Sequence, residues 1–448
     1  MLQDDISVFI SNLYKYLVGK DDYVHGLLIK KHSGNLVNLG DLSFPNTVKS
    51  WQELLNAEEL QNNSDKTFLK FIDKNVSDVI QASQNWEMSV VKATELNNRI
   101  YLFLDRTKAI SIGLQSALKN NNLLLHKLNK VTNLVKVDPK CVEDSSVTYL
   151  RLKYLTEVVK NLCLVNDIDE DHNIIVTSRH NDNDRTVFCG TVLNSKTGLK
   201  ENLITAEEYI KLRQDEMTLI AQHKYGVRVS TDVKWREFIA HLGESAVAFE
   251  MLQTRSSGPV KVHFDASGGS SKGAAFILYN CARLETMIRT FNERVADGSY
   301  PDLPSLYNVD LSLLTDEDEW SIIFTYIMAV ASLIRNTVDM NGVCEFRPHL
   351  ICNFLSGMVK VFSQYYRRVR ILTEPRKHLL PIMFARIHML IILNDTLKMC
   401  LKILNIKSVS QMYTVFYCAI ARSDWLAEDS RVRPNGRRVW PPAASRFA

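Results

Sequence analysis

Residues 348–371 read PHLICNFLSGMVKVFSQYYRRVRI, and this stretch decides the architecture of the C-terminal third of the chain. Its apolar side chains recur every three or four residues, which is the period of a helix that buries one face. Pro348 stands where the first turn of such a helix tolerates proline. The stretch therefore predicts an amphipathic helix whose buried stripe is Ile351, Phe354, Leu355, Met358, Phe362, Tyr365 and Val369.

Three further segments between residues 274 and 406 carry the same helical period. We predict a first helix that begins around residues 278–288, a second over 320–331 and a last one over 387–404 that starts near Pro381. Several helices with one apolar face each can bury those faces only against one another. Residues 271–412 are therefore predicted to be an all-α bundle.

The upstream part of the chain mixes strand and helix patterns. Residues 99–104 read as a strand, and 109–118 read as a short helix that ends at the polar residues 119–122. Between 126 and 270, strands at 131–137, 173–177 and 185–193 alternate with a helix at 149–165. Such alternation is typical of an α/β layer, so the predicted fold class is α/β plus all-α. The predicted domains are residues 1–125, 126–270, 271–412 and a disordered tail at 413–448.

Charge is distributed unevenly along the predicted bundle, although the net charge of the 448-residue chain is only +4. Residues 298–345 contain eight acids and one base, whereas residues 346–412 contain eleven bases and two acids. A surplus of nine positive charges in one helical segment is the kind of surface that phosphate attracts. A solvated helical face would show the same counts, and charge alone leaves both interpretations open.

Other features of the sequence argue against several classes of protein. The eight cysteines are scattered and form no CxxC pair, which predicts neither a zinc site nor a disulfide framework. The N-terminus lacks the pattern of a secretory signal, and no run reaches 18 uninterrupted apolar residues. We therefore expect a cytoplasmic protein with no metal, no cofactor and no membrane partner.

Three runs in the predicted bundle resemble the DALR anticodon-binding domain of arginyl-tRNA synthetases. GAAFILYNCARL at 273–284 is similar to the helix that opens that domain, and PHLICNFL at 348–355 with FSQYY at 362–366 is similar to a central helix. LKILNI at 401–406 resembles the end of the domain. The three runs occur in the order of the family and span about 140 residues, so the resemblance implies an anticodon-binding bundle.

The resemblance continues upstream, but it fails where a class I synthetase keeps its catalytic signatures. Residues 126–165 have the shape of the first strand and helix of the synthetase. The place of the HIGH motif reads SVTYLR, with Ser146, Thr148 and Tyr149 where histidine and glycine are required and with Leu150 and Arg151 retained. SKTGLK at 195–200 stands in the place of the KMSKS motif. We therefore predict a degenerate class I synthetase-like Rossmann layer at 126–270 and no enzymatic activity.

Up to about Met412, the chain most resembles non-catalytic relatives of the synthetases, whereas the last 36 residues show no pattern of that family. That resemblance implies an adaptor that binds arginine tRNAs and delivers them to a partner methyltransferase, which makes 3-methylcytidine in the anticodon loop. Basic side chains can bind phosphates, an aromatic ring can stack an unpaired base, and Asn353 matches a synthetase asparagine. The candidate tRNA-binding residues are Asn353, Tyr366, Arg367, Arg368, Arg370, Arg376, Lys377 and Arg386.

Two other functions remain open from the sequence. One is a divergent arginyl-tRNA synthetase, an ATP-dependent ligase, which the missing HIGH motif disfavours. The other is a protein-interaction scaffold without RNA binding, which the basic segment disfavours.

Three local patterns are better explained as structure than as sites. His241-Leu242-Gly243-Glu244 looks like HIGH but is predicted to lie in a structural helix. The glycine-rich run 268–273 lacks the spacing of a phosphate loop and is predicted to be a linker or helix entry. His172 and His180, which lie near several acids, show no recognised metal-ligand spacing.

Overall fold

The N-terminal module is built on a four-stranded antiparallel sheet with strand order β1-β2-β4-β3. In the computed structural model, the residues described are 2–19, 28–55, 67–141, 146–168, 173–179, 185–225, 233–264 and 271–409. Leu42 and Phe44 of β2 and Ile100, Leu102 and Leu104 of β4 alternate into the core. The elements of the module are α1 (Asp5–Val18), β1 (Lys30–Lys31), α2 (Leu36–Leu39), β2 (Leu42–Pro45), α3 (Val48–Trp51), α4 (Phe68–Phe71), α5 (Val76–Ser83), β3 (Val90–Leu96), β4 (Arg99–Leu104) and α6 (Arg106–Lys127).

Strand β4 confirms the prediction for residues 99–104, but helix α6 is much longer than predicted. The polar residues that were expected to end it continue the helix, and Asn120 and Asn121 are buried. The Asn121 side-chain amide donates to Thr396 Oγ1 at 3.0 Å, and Asn120 Oδ1 accepts from the Gln3 backbone at 2.9 Å. Because these amides find partners on distant segments, they can be buried without ending the helix.

The middle layer contains short parallel strands covered by helices. Strands β5, β6 and β7 form one parallel sheet, and β8 pairs in parallel with β9. This arrangement confirms the α/β class of the layer. Its elements are β5 (Val135–Val137), a 3₁₀ turn (Pro139–Cys141), α7 (Val147–Val165), β6 (Ile174–Thr177), β7 (Thr186–Phe188), β8 (Val192–Asn194), α8 (Ala206–Tyr225), α9 (Val233–Leu252) and β9 (Val260–Val262).

The strand predicted over residues 185–193 is instead two strands that belong to different sheets. The chain turns between β7 and β8 at Gly190, whose backbone is crowded against Gly258. A Cβ atom at Gly190 would lie 2.3 Å from the Gly258 carbonyl oxygen. This close approach of two backbones requires glycine, and it ends one strand and starts the next.

The C-terminal region is the predicted helical bundle, with one small antiparallel strand pair between its helices. The helix predicted over 320–331 is divided by a π-helical turn at Ile322–Ile327. The elements of the bundle are α10 (Ser271–Ala296), two 3₁₀ turns (Leu306–Asn308 and Leu311–Leu313), α11 (Glu317–Ser321), α12 (Val330–Asn336), β10 (Val338–Asp339), β11 (Glu345–Phe346), α13 (Pro348–Arg368) and α14 (Leu380–Ile403).

The N-terminal module and the bundle share a hydrophobic core. Helix α6 packs against α14, and hydrogen bonds also join the N-terminal module to the bundle. The Trp320 indole donates to Asp41 Oδ1 at 2.7 Å, and Lys31 Nζ donates to the Phe324 carbonyl oxygen of the π-helical turn at 2.8 Å. The Asp41 carboxyl group is buried, which raises its pKa. The shared core therefore fixes the bundle relative to the N-terminal sheet.

Helix α14 is long and apolar enough to cross a membrane by length and composition alone. The same test is met by a core helix of a globular protein, and 56% of its most apolar window is buried. In this fold α14 contacts α6, α10 and α13, and most of its apolar side chains are buried within the protein.

Candidate nucleic-acid interface

The C-terminal end of helix α13 and the segment that follows it carry most of the candidate RNA-binding residues. Helix α13 ends at Arg368, and the chain then runs without regular structure to the start of α14. Most of the candidate side chains are exposed there, namely Tyr366, Arg367, Arg368, Arg370, Arg376 and Lys377. Asn353 is also exposed, three to four helical turns earlier on α13. The fold therefore presents seven of the eight predicted residues to solvent.

Two adjacent tyrosines at this helix end have opposite environments. Tyr365 is fully buried, as its position in the apolar stripe predicts, and its hydroxyl donates to Glu319 Oε1 at 2.9 Å. Burial beside this carboxylate raises the pKa of Tyr365 far above its ordinary value. Tyr366 is 37% exposed. Of the pair, Tyr366 is thus the ring that a nucleobase can reach.

One exposed arginine, Arg368, lies beside the acidic run Asp316–Glu319, in which Asp316 caps helix α11 and the other three residues begin it. Arg368 forms an ion pair with Asp318, and its side chain stays 64% exposed. Arg376 pairs with Glu374 at 2.6 Å on the surface. Asp318 is only 17% exposed, whereas both side chains of the Arg376–Glu374 pair are exposed. Exposed pairs contribute little to stability, so a phosphate can replace Glu374 as the partner of Arg376 at small cost.

Arg386 differs from the other candidate residues because it faces the interior of the bundle. Its Nε donates to Glu319 Oε1 at 2.7 Å, and its side chain is only 16% exposed, whereas that of Glu319 is not exposed at all. Glu319 Oε2 also accepts from the Asp316 backbone as part of a capping box. This geometry gives Arg386 a structural partner, and its assignment to tRNA binding stays a prediction.

The residues predicted to stand in place of the HIGH motif lie at the N-terminus of helix α7, where they have structural contacts. Ser146 caps the helix by accepting from the Tyr149 backbone at 3.2 Å. Thr148 is 2% exposed, and its Oγ1 accepts from the Val192 backbone of β8 at 3.1 Å. Tyr149 lies 4.7 Å from the Lys153 ammonium, measured to the ring centroid. The Ser146 hydroxyl thus caps α7, and the Thr148 hydroxyl joins α7 to strand β8.

Arg151, which the sequence retains after that motif, is a fully enclosed structural residue. It is 1% exposed, and its guanidinium donates to four backbone carbonyl oxygens. The acceptors and distances are Met251 at 3.1 Å, Gly190 at 2.7 Å, Gly258 at 2.6 Å and Arg255 at 2.9 Å. Burial lowers its pKa. One side chain therefore fastens the end of α9 and the approach to β9 to the turn between β7 and β8.

The segment predicted to stand in place of KMSKS lies close to the segment predicted to stand in place of HIGH. An isolated antiparallel bridge joins Ser146 to Thr205, and another joins Leu193 to Lys200. Ser195 Oγ and His263 Nδ1 are 2.8 Å apart. The structure thus brings the two predicted signature places together.

Comparisons with known proteins find relatives of this chain. The family model described as the DALR anticodon binding domain matches residues 277–412. The match covers helices α11 to α14 and most of α10. The chain is also 34% identical over 209 residues to a rat protein named DALR anticodon-binding domain-containing protein 3, a match that covers 46% of this chain and 38% of the relative. The chain therefore spans less than half the length of the curated relatives it matches.

Arginyl-tRNA synthetases are more distant relatives. The arginine–tRNA ligase of Malacoplasma penetrans is 23% identical over 190 residues, which is 42% of this chain and 30% of the ligase. The arginyl-tRNA synthetase of Thermus thermophilus aligns in structure with a TM-score of 0.39 and 14% identity, covering 62% of this chain and 40% of the synthetase. By its family match and its sequence relatives, the chain contains a segment that matches the DALR anticodon binding domain, and it is similar in sequence both to DALR anticodon-binding domain-containing protein 3 and to arginine–tRNA ligases.

Sequence reasoning missed the residues that support the candidate surface of the DALR domain. Glu319 lies in an acid-rich run that is typical of a solvated face, yet it is fully buried. Arg283 was part of the resemblance but not a site candidate, and it is only 9% exposed beside Tyr366. No local pattern identifies either residue, because the partners that define their roles lie on other helices, 46 or more positions away along the chain.

Of the three local patterns that the sequence analysis explained as structure, the His241–Glu244 run lies fully within the described residues and is part of a helix, as predicted. His241 to Glu244 lie within helix α9, and a Cβ atom at Gly243 would lie 2.6 Å from Gln214 Cγ of α8, so the glycine allows two helices to pack closely. The glycine-rich run up to residue 270, His172, His180 and the predicted tail from residue 413 lie outside the described residues. Within the described ranges, no group of three or more potential metal ligands is found.

Proposed function

We propose that this chain is a non-catalytic adaptor that binds arginine tRNAs and delivers them to a methyltransferase that makes 3-methylcytidine in the anticodon loop. The observation that carries the RNA-binding part is the exposed basic end of α13 in an anticodon-binding domain. Tyr366 offers an exposed aromatic ring in the same segment as the exposed Arg367, Arg370 and Lys377, and anticodon loops offer unpaired bases beside phosphates. A scaffold without RNA binding would not need this combination.

The lack of catalysis in this proposal rests on the two signature places. At the place of HIGH, Ser146 and Thr148 are engaged with backbone groups, and neither supplies an imidazole to position ATP phosphates. Proposed delivery follows from the same reasoning, since a binder without its own chemistry must either sequester its RNA or present it to an enzyme. The proposed docking surface for the methyltransferase is residues 1–270, because RNA would occupy the basic face of the DALR domain.

Changing Arg367, Arg368 and Arg370 together to Ala is expected to weaken tRNA binding and to reduce its dependence on salt. Each phosphate that the variant no longer binds should flatten the slope of log K against log salt by about 0.7 to 0.9. The measurement is equilibrium binding of an arginine tRNA at several salt concentrations. The charge-matched control changes the exposed Lys70, Lys119 and Lys140 to Ala. Unchanged affinity and slope in the arginine variant would leave the basic segment as a solvated surface.

Loss of this protein from its own cells is expected to lower 3-methylcytidine in arginine tRNAs, and the intact chain is expected to retain a methyltransferase in a pull-down. Restoring the wild-type chain should recover the modification, whereas the triple arginine variant should not. Unchanged modification without a captured methyltransferase would remove the adaptor role and leave tRNA binding alone. Arginine-dependent ATP–pyrophosphate exchange above background would instead favour the divergent synthetase.

A further inference from the structure

Arg283 of helix α10 lies between two tyrosine rings at the candidate RNA surface. Its guanidinium carbon is 4.5 Å from the centroid of Tyr279, one turn earlier on the same helix, and 4.4 Å from the centroid of Tyr366 on α13. Both distances are within the range of cation–π attraction. A planar guanidinium fits between two rings in a way that the ammonium of lysine does not.

Hydrogen bonds and burial hold this arginine in place. Its guanidinium donates to the Tyr279 hydroxyl and to Asn280 Oδ1, the latter at 3.5 Å, and the residue is 9% exposed. Burial lowers the pKa of Arg283 to about 10; Tyr366 opposes this shift, and the positive charge of Arg367 adds to it. The group is therefore a cation at neutral pH that is largely enclosed and not directed at solvent.

Tyr366 is in turn held on more than one side. Arg283 lies against it, and Phe362 packs one turn earlier on α13 with ring centroids 6.0 Å apart and an interplanar angle of 53°. More than a third of Tyr366 remains exposed, next to the exposed Arg367 and Arg368. A ring that is already fixed loses little conformational entropy when a second flat group stacks on it.

We infer that Tyr366 is a stacking platform for one unpaired base of the RNA and that Arg283 is its positioning residue. Arg283 holds the Tyr366 ring in place and makes no phosphate contact itself. The ligand is an unstacked nucleobase, which any of the four bases can supply because each has a π face. This inference rests on the proposed RNA binding and assigns the part of it that does not depend on charge.

The test compares Arg283→Met, Arg283→Lys, Tyr366→Ala and Tyr366→Phe in the full chain, with an anticodon stem-loop of an arginine tRNA as the probe. Tyr366→Ala should weaken binding by roughly five- to a hundredfold, and Tyr366→Phe should bind like the wild type. Both Arg283 variants should weaken binding less than Tyr366→Ala does and leave the salt slope unchanged, because without the flat guanidinium the ring is held less firmly.

Stem-loops with a single abasic nucleotide, placed at each loop position in turn, identify the stacked base. When the stacked nucleotide is abasic, the wild type, the Arg283 variants and Tyr366→Ala should all bind the stem-loop equally. On the intact stem-loop, the double variant Arg283→Met with Tyr366→Ala should bind no more weakly than Tyr366→Ala alone. These couplings separate positioning from general destabilisation, which would weaken binding to every probe alike.

Three results would overturn the inference. A salt slope flattened by about 0.7 to 0.9 in Arg283→Met would make Arg283 a phosphate ligand. The positioning role of Arg283 would be removed if both Arg283 variants bound with wild-type affinity, or if they lost the same affinity for every abasic probe. Salt-dependent binding by the wild type would in that case still support the proposed function. A wild-type chain that binds no stem-loop and no tRNA would remove both.

Discussion

Replacement of Arg151 by Met is expected to lower the free energy of unfolding by about 4 kcal/mol or more. Methionine can fill the space of the side chain but donates no hydrogen bond. The substitution would remove the buried donor of the Gly190, Met251 and Gly258 carbonyl oxygens, whereas the Arg255 carbonyl oxygen would keep the Gly258 backbone N–H. Each buried acceptor without its partner costs about 1–3 kcal/mol, which makes this one of the largest single effects expected in the chain.

Lys153→Met is the matched control for this prediction. Lys153 lies two residues later on α7, is exposed, and places its ammonium against the ring of Tyr149. Its replacement should change stability by no more than about 0.5–1 kcal/mol. Denaturant unfolding of both variants, followed by circular dichroism, makes the comparison. Equal midpoints would show that the retained arginine does not fasten the layer.

Replacement of Glu319 by Ala is expected to destabilise the DALR domain by about 3–5 kcal/mol, because removing one partner of a buried ion pair costs about this much. Its carboxylate is fully buried, and it accepts from Arg386 Nε at 2.7 Å and from the Tyr365 hydroxyl at 2.9 Å. The change would leave a largely enclosed guanidinium without its counter-charge. The capping box of α11 would disappear as well.

Glu317→Ala provides the control on the same short helix. Glu317 forms an ion pair with Arg106 in which the two side chains are 49% and 30% exposed, respectively. Exposed pairs contribute about 0–1 kcal/mol, so this variant should melt close to the wild type. Thermal unfolding of the two variants side by side tests the difference. If Glu319→Ala melted no lower than Glu317→Ala, the buried pair would not support the basic end of α13.

The candidate surface was only partly predictable from the sequence. A count of charges predicted a basic segment, and the helical period correctly placed Tyr365 inside and Tyr366 outside. The same count could not distinguish Arg386, which pairs with a buried carboxylate, from Arg367 and Arg370, which are exposed. Residue type reports a charge, but the position of its partner along the chain is a property of the fold.

The sequence by itself determined the long helices of the bundle and the family of that bundle. Helices α13 and α14 follow the predicted apolar periods closely, because burial of one face depends on local spacing that a sequence displays directly. The three family-like runs likewise predicted the DALR domain that matches residues 277–412.

Only the tertiary structure decided where polar side chains break the local patterns. Helix α6 continues through Asn120 and Asn121 because their side-chain amides form hydrogen bonds with distant groups, and the strand predicted over 185–193 divides where Gly190 meets Gly258. Arg151 reaches an acceptor 100 residues away, and Arg386 reaches Glu319 across 67. A buried polar group is tolerated only when it is paired, and its partner is defined by three-dimensional contact and not by sequence spacing.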